Sequence, residues 1–302
     1  MSFNLRHLKY FVATAELGQV SRAAIELSVS QSAVTAAIRE LEAILGTTLF
    51  VRSSLGMTLT EAGRRFLSSG YEILAKVDEA LQAQEPLDIS GPLQVAASYT
   101  VIGYFLPVHL ERMARLMPGI ELHLREMSRP AIEDALVEGQ IDIGVALTSN
   151  ITNAEIASET LLRSPRRLWL PSRHPFLERG ALSLSDVAQE PYVMLTVDEA
   201  AHTAMRYWSH ITAKPQVVLR TSSVEGVRSM VANGRGVSIL SDMVYRPWSL
   251  EGRRLETADL AEDIPPMDVG LVWRKNAVFT PAMTAFRDYF RGLFGSSQLA
   301  RA

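Results

Sequence analysis

The 302 residues carry no cysteine, a formal net charge of -3, and 47% hydrophobic against 21% charged residues, a balance that suits a globular chain of two or three domains and argues against disorder. Without cysteine, disulfides, thiolate metal sites and thiol-based redox sensing are excluded. No run of about eighteen apolar residues offers a membrane span and MSFNLRHLKY lacks a signal peptide's apolar stretch, so a cytoplasmic protein with no membrane partner is expected.

Taken in order, Leu5 to Leu17 reads as an amphipathic helix with Leu5, Leu8, Phe11, Val12 and Ala15 on one face. Gln19 to Glu42 then reads as two short helices joined by a tight turn. The first starts at Ser21 and shows Ala23, Ala24 and Leu27 as an apolar patch; the break falls at Ser28 to Ser30. In the second, Val34, Ile38, Leu41 and Leu45 form a stripe that holds one face against the body. The opposite face carries Gln31, Ser32, Thr35 and Arg39, short hydrogen-bonding groups and one cation suited to base edges or a phosphate. A helix-turn-helix docks in this way, although a helical hairpin with a polar outer face has the same pattern.

After Gly46, Leu49 to Val51 and Met57 to Leu59 read as two short strands joined around Gly56, a wing beside the helix pair. Arg52 at its turn suits a phosphate or a minor groove, with a solvated turn arginine as the plain alternative. Up to Phe66 there are seven basic residues against five acidic ones, so the rest of the chain carries the negative balance and only this piece leans towards DNA. From Thr60, an N-cap followed by Glu61, a long helical pattern runs to about Gln84. Its apolar Phe66, Ile73, Leu74, Val77 and Leu81 exceed what a small winged domain can cover, which predicts pairing with a second copy. Pro86, Gly91 and Pro92 mark a domain boundary.

Beyond Pro92, short apolar runs (LQVAA, IELHL, IDIGVAL) alternate with helical patterns at Tyr104 to Met117 and Ala131 to Glu138, the signature of βαβ units. A second series follows, with strands near Arg167 to Leu170, Tyr192 to Leu195, Gln216 to Arg220 and Val237 to Leu240, and helices at Ala201 to Ile211 and Val224 to Ala232. VGLVW and a helix from Pro281 to Phe294 close the chain. Two similar α/β series predict two lobes with a cleft between them.

The stretch LRHLKYFVATAELGQVSRAAIELSVSQSAVTAAIRELEAILGTTLFVR followed by TLTEAG resembles the N-terminal signature of LysR-type transcriptional regulators. LPVHLERMARLMPGIELHL, LVEGQIDIGVAL and VEGVRSMVANGRGVSILS resemble segments of that family's effector domain. Ser32 departs from the pattern, since many members have proline at the start of the recognition helix; this bears on which bases are read. The resemblance implies an α/β protein with a winged helix-turn-helix over residues 1–60 and a linker and dimerisation helix over 61–91. It implies an effector domain over 92–302, made of two Rossmann-like lobes similar to periplasmic binding proteins. Lobe I would comprise about 92–162 and 267–302 and lobe II about 163–266, with crossovers near Leu162 to Arg166 and Ile264 to Met267. The partners implied are double-stranded operator DNA, a small-molecule effector and further copies of the chain, as a homodimer or homotetramer. Carried over by position, Gln31, Ser32, Thr35 and Arg39 read bases while Ser21, Arg22 and Arg52 contact phosphates.

In open α/β sheets ligands bind beyond the carboxyl ends of the strands. Those positions are Ser98, Tyr99 and Thr100, then Ser128 and Arg129, then Thr148, with Thr196, Ser222 and Ser223 in the other lobe. Many hydroxyls with Arg129 as the one adjacent cation suit a small polar or anionic metabolite, and no bound cofactor is expected. Each residue singly is more often a helix cap than a ligand contact, and the set is more persuasive than any member. Six scattered histidines without paired ligand spacing argue against a metal, and Gly234 and Gly236 follow a helix, as a C-cap does, rather than opening one. With no GxSxG, Walker loop or GxGxxG present, no enzyme is expected. The competing reading is a solute-binding protein or enzyme that uses the two lobes alone and the N-terminal helices only for oligomerisation.

Overall fold

A computed structural model describes residues 3–27, 29–53, 56–81, 88–180 and 182–294, with the side chains of residues 22, 52, 53, 75 and 78–81 outside what is described. The chain divides into two units, Met1–Gln84 and Glu85–Ala302. Among the described residues no helix is long and apolar enough to cross a membrane.

The first unit begins with α1 (Leu5–Leu17), whose amino end is fixed twice: Asn4 Oδ1 accepts from the His7 amide at 3.1 Å, and the His7 ring accepts from the Asn4 amide at 3.2 Å. Gly18, at φ 66°, supplies the left-handed residue that ends it. The pair α2 (Val20–Glu26) and α3 (Gln31–Leu45) follows. Ser21 does not start α2 as expected; Gln19 holds the N-cap position, without a side-chain bond, and Ser21 lies inside the first turn. Ser28 lies outside the described residues, and Ser30 caps α3 by accepting from the Ala33 amide at 3.2 Å. Leu8, Phe11, Val12, Ala23, Ala24, Val34, Ile38 and Leu41 are buried together as the small core, while Leu5 stands exposed at the edge.

Strands β1 (Phe50–Ser53) and β2 (Gly56–Leu59) pair antiparallel, with Phe50 opposite Leu59 and Arg52 opposite Met57. Arg52 and Gly56 therefore both lie in strands, and residues 54–55 between them are outside those described. Glu42 of α3 reaches back to this hairpin, where its Oε1 accepts from the Leu49 and Phe50 amides at 2.7 and 3.1 Å. Helix α4 (Glu61–Leu81) starts at Thr60, whose hydroxyl accepts from the Gly63 amide at 2.9 Å. Gly63 is required there, since a Cβ would stand 2.1 Å from the Leu49 carbonyl oxygen. Phe66 packs on Phe11 with ring centroids 5.0 Å apart, and Ile73, Leu74 and Val77 are only half-buried. Gln84 and Pro86 lie outside the described residues.

The second unit runs β3 (Ser90–Ala97), α5 (Tyr99–Tyr104), α6 (Leu106–Leu116), β4 (Gly119–Glu126), α7 (Arg129–Val137), β5 (Ile143–Leu147) and β6 (Ile156–Ser164). It continues with β7 (Arg166–Pro171), α8 (Leu184–Val187), β8 (Pro191–Leu195), α9 (Ala200–Trp208), β9 (Gln216–Thr221) and α10 (Val224–Ala232). The last elements are β10 (Ser238–Ser241), β11 (Leu255–Ala258), β12 (Met267–Arg274) and α11 (Pro281–Phe294). Gly91 and Pro92 thus belong to a strand rather than a linker. Pro92 is tolerated because β5 pairs only with Val95 to Ala97, so β3 has a single neighbour where the N–H is missing.

The first sheet has the order β4-β3-β5-β12-β6, parallel among β4, β3 and β5 and antiparallel where β12 meets β5 and β6. Lobe II repeats this plan as β9-β8-β10-β7-β11: β8 pairs parallel with β9, a bridge from Tyr192 to Val237 joins β8 to β10, and β7 is antiparallel to both neighbours. In each sheet the fourth strand is the one that has just crossed from the other lobe. The crossings run through Pro165 and through Ile264–Pro266, and the Arg166 guanidinium ties them together by donating to the Pro265 and Pro266 carbonyls, the latter at 2.7 Å. Lobe I packs Leu93, Val95, Val145 and Leu271 against Phe286 and Phe290 of α11; lobe II packs Leu168, Tyr192 and Ile239 against Trp208.

Candidate functional site

Two sets of residues come together, one in each unit. In the first, helical geometry sets Gln31, Ser32, Thr35 and Arg39 within an arc of about 100°, while Val34, Ala37, Ile38 and Leu41 occupy the adjoining arc, centred about 120° away, and are buried. Gln31, Ser32 and Arg39 are exposed and Thr35 is half-buried. Among the described residues Gln31 and Arg39 have no side-chain partner, and the Ser32 hydroxyl meets only that of Ser30, at 2.9 Å. His7 is almost wholly buried on α1 and meets Glu40 across α3 at 3.1 Å, which fixes the roll of the helix. Ser21 is half-buried in α2; Arg22 and Arg52 have only their backbone placed.

In the second unit every candidate stands at a carboxyl end of a parallel strand, and the structure sorts them. Ser98 follows β3, is 1% exposed, and its Oγ is buried without a partner. Tyr99 is exposed and Thr100 is buried. Ser128 precedes α7 without a side-chain cap bond. Thr148 is committed elsewhere: its Oγ1 lies 2.8 Å from the Thr160 hydroxyl. Ser223 caps α10, accepting from the Gly226 amide at 2.9 Å, and Thr196 and Ser222 are exposed.

Arg129 is already engaged. Its guanidinium donates to both Glu199 oxygens, at 2.9 and 2.7 Å, and to Glu133 of its own helix. Bonding from Arg129 holds the Glu199 carboxyl below its ordinary range and raises the guanidinium further. One residue earlier in the chain, Asp198 Oδ2 accepts from the Thr100 amide at 2.6 Å. A third tie runs from the Tyr104 hydroxyl to Glu225 Oε1 at 3.0 Å. Burial and that bond push the Tyr104 hydroxyl up to about 12. Glu225 in turn meets Arg228, which is 2% exposed, donates to the Val244 carbonyl at 2.6 Å, and lies over the Trp169 ring. Lobe II thus reaches lobe I through three carboxylates.

Sequence reading missed Asp198, Glu199, Glu133 and Glu225. The VDEA stretch, one residue beyond β8, was a usable signal, but an expectation of anion binding directs attention to hydroxyls and cations. A separate depression of about 430 Å³, lined by Arg173, Asn233, Gly234, Arg253 and Arg254, opens at the other end of the lobe II sheet, away from these strand ends. Arg254 there is held by Glu256 at 2.7 Å.

Residues 5–64 match the model of the bacterial regulatory helix-turn-helix protein, lysR family, and residues 88–295 match the LysR substrate binding domain. The chain is 30% identical to a RuBisCO operon transcriptional regulator of Allochromatium vinosum, over 96% of each chain. It is 31% identical to a hydrogen peroxide-inducible genes activator of Pectobacterium carotovorum subsp. carotovorum, covering 78% of this chain and 79% of that one. Among solved structures it is similar to HinK, a LysR family transcriptional regulator from Pseudomonas aeruginosa, with TM-score 0.63, 28% identity and coverage of 98% and 100%.

Proposed function

The chain belongs to the LysR family of transcriptional regulators, and from that premise we propose how its own residues do the work. Residues 1–60 bind operator DNA as a winged helix-turn-helix, 61–91 link and dimerise, and 92–302 hold the effector. Gln31, Ser32, Thr35 and Arg39 read base edges from α3, and Ser21, Arg22 and Arg52 contact phosphates. The observation that carries this reading is the outer face of α3: polar, largely exposed, and bordering a buried apolar stripe that anchors the helix. The half-buried Ile73, Leu74 and Val77 support pairing of α4 with a second copy, in a dimer or in a tetramer that spans two sites. The protein works in the cytoplasm and catalyses no reaction.

The effector is a small polar or anionic metabolite that binds between the lobes near Ser98, Thr100 and Arg129. By binding one degree of lobe closure better than another it shifts the population of quaternary states, and with it the spacing of the DNA-binding heads. A thiol switch is closed to this chain, which has no cysteine. Gel retardation with the DNA upstream of its own gene tests the reading. Retardation that weakens steeply with salt is expected; none at low salt, with or without candidate effectors, sinks it.

A further inference from the structure

Asp198 and Glu199 are consecutive residues with left-handed backbones, at φ 47°, ψ 40° and φ 62°, ψ 20°. Aspartate visits this region at modest cost, whereas glutamate gains nothing local from it. The gain lies across the cleft. The turn aims two carboxylates of lobe II into lobe I, one on the Thr100 amide and one on Nε and Nη2 of Arg129. Strain of this kind persists only where surrounding contacts over-determine it, and it concentrates at ligand clamps and switches.

We propose that the Asp198–Glu199 turn is an internal anion occupying the seat of the effector, and that the effector is a carboxylic acid whose carboxylate displaces Glu199 from Arg129. This rests on the reading of the cleft as the effector site. As it stands, Arg129 faces the carboxylates of Glu199 and Glu133, so an added anion is repelled unless one of them leaves. Glu199 is the one that can leave, because it belongs to the other lobe and to the strained turn. Glu133 is buried on the same helix as Arg129 and stays as its permanent partner, so the guanidinium is never stripped of both. The planar fork now holds a carboxylate by two near-parallel bonds, and a ligand carboxylate reproduces that geometry. Ser98 Oγ, buried and unpartnered at the end of β3, supplies a hydrogen bond that Glu199 does not use. The exchange replaces a tie between the lobes by a contact to ligand, which gives the two lobe arrangements different affinities for it.

The test is calorimetric titration of the full-length protein with acetate, benzoate, inorganic phosphate and methylammonium, on wild type, Glu199→Gln, and Glu199→Gln with Arg129→Met. We expect Glu199→Gln to bind acetate or benzoate about tenfold more tightly than wild type, the size of one displaced charge-assisted contact, and the added Arg129→Met to remove the gain. Should Glu199→Gln not fold, Glu199→Asp, one methylene shorter, is expected to move affinity the same way. Carboxylate affinity that is unchanged or weaker overturns the proposal. So does phosphate bound in preference to both carboxylates, methylammonium bound by wild type and lost in the variant, or no probe bound by any variant. Gel retardation by the same proteins separates the two readings. Tighter carboxylate binding with no effect on retardation leaves only the exchange of Glu199 for a carboxylate on Arg129 standing and overturns the cleft as effector site, and with it a carboxylic acid as effector.

Discussion

The outer face of α3 and the cleft at Arg129 are both polar sites, yet one is left open and the other is filled. Arg39 is exposed, so water satisfies its charge at no structural cost. Arg129 is 22% exposed in its side chain, and a guanidinium so far out of water needs partners, which the fold supplies as two glutamates. A surface that waits for a polyanion can stay hydrated until the phosphates arrive. A half-enclosed site for a small ligand has to be complete without it, and any ligand must then compete with what completes it.

The contrast is sharpest between neighbours on one helix. Ile38 is 1% exposed on the inner side of α3, and Ile38→Ala is expected to cost about 2–5 kcal/mol of stability, read from the shift of the denaturation midpoint at constant slope. At the exposed first residue of the same helix, Gln31→Ala is expected to cost about 1–3 kcal/mol of operator affinity and to relax base preference at one position, with the melting temperature unmoved. Gel retardation on a set of single-base operator variants checks it, and a lowered melting temperature would mean that the face is not open.

Acid acts on the filled unit. His109 on α6 packs against Phe105, Phe290 and Phe294, and burial pulls its ring down to about 4 from the usual 6.5. Between those values the unfolded chain binds a proton that the folded one refuses, so stability is complete above about pH 6.5 and is lost as pH falls towards 4. With partial exposure allowed for, the loss is on the order of 1–2 kcal/mol, and His109→Phe should flatten that stretch of the pH–stability profile. The smallest effect concerns a single tie across the cleft. Tyr104→Phe removes the donor to Glu225 and should lower stability by about 0.5–1.5 kcal/mol, measured by thermal melting; no change would mean that water replaces the bond in full.

What could be read from the residues follows the same division between local and distant causes. Helix α11 begins at Pro281 as expected, because proline is preset for a first helical turn, and α10 ends before Asn233 and Gly234, the latter at φ 69°. The helix expected from Tyr104 to Met117 begins only at Leu106, as α6, because Tyr104 closes the separate helix α5 and the helical run breaks at Phe105, ahead of Pro107. Strands β6 and β11 escaped notice because neither alternates: Ile156, Leu161 and Ser164 are buried at irregular spacing in β6, and Leu255 alone is buried in β11. The strand ends of the cleft were legible from topology, and their hydroxyls with them. The carboxylates that fill it were not, since Asp198 and Glu199 find their partners 98 and 70 residues away, and no local pattern records that.

The central claim is that α3 reads DNA through its open face, and it is tested most directly by retardation of operator DNA over a salt series, wild type beside Arg39→Ala. The account predicts that log affinity falls linearly with log salt for wild type and that Arg39→Ala binds about ten- to a hundredfold more weakly at each salt concentration. Equal affinity of the two proteins across the series, in chains that melt at the same temperature, would contradict it.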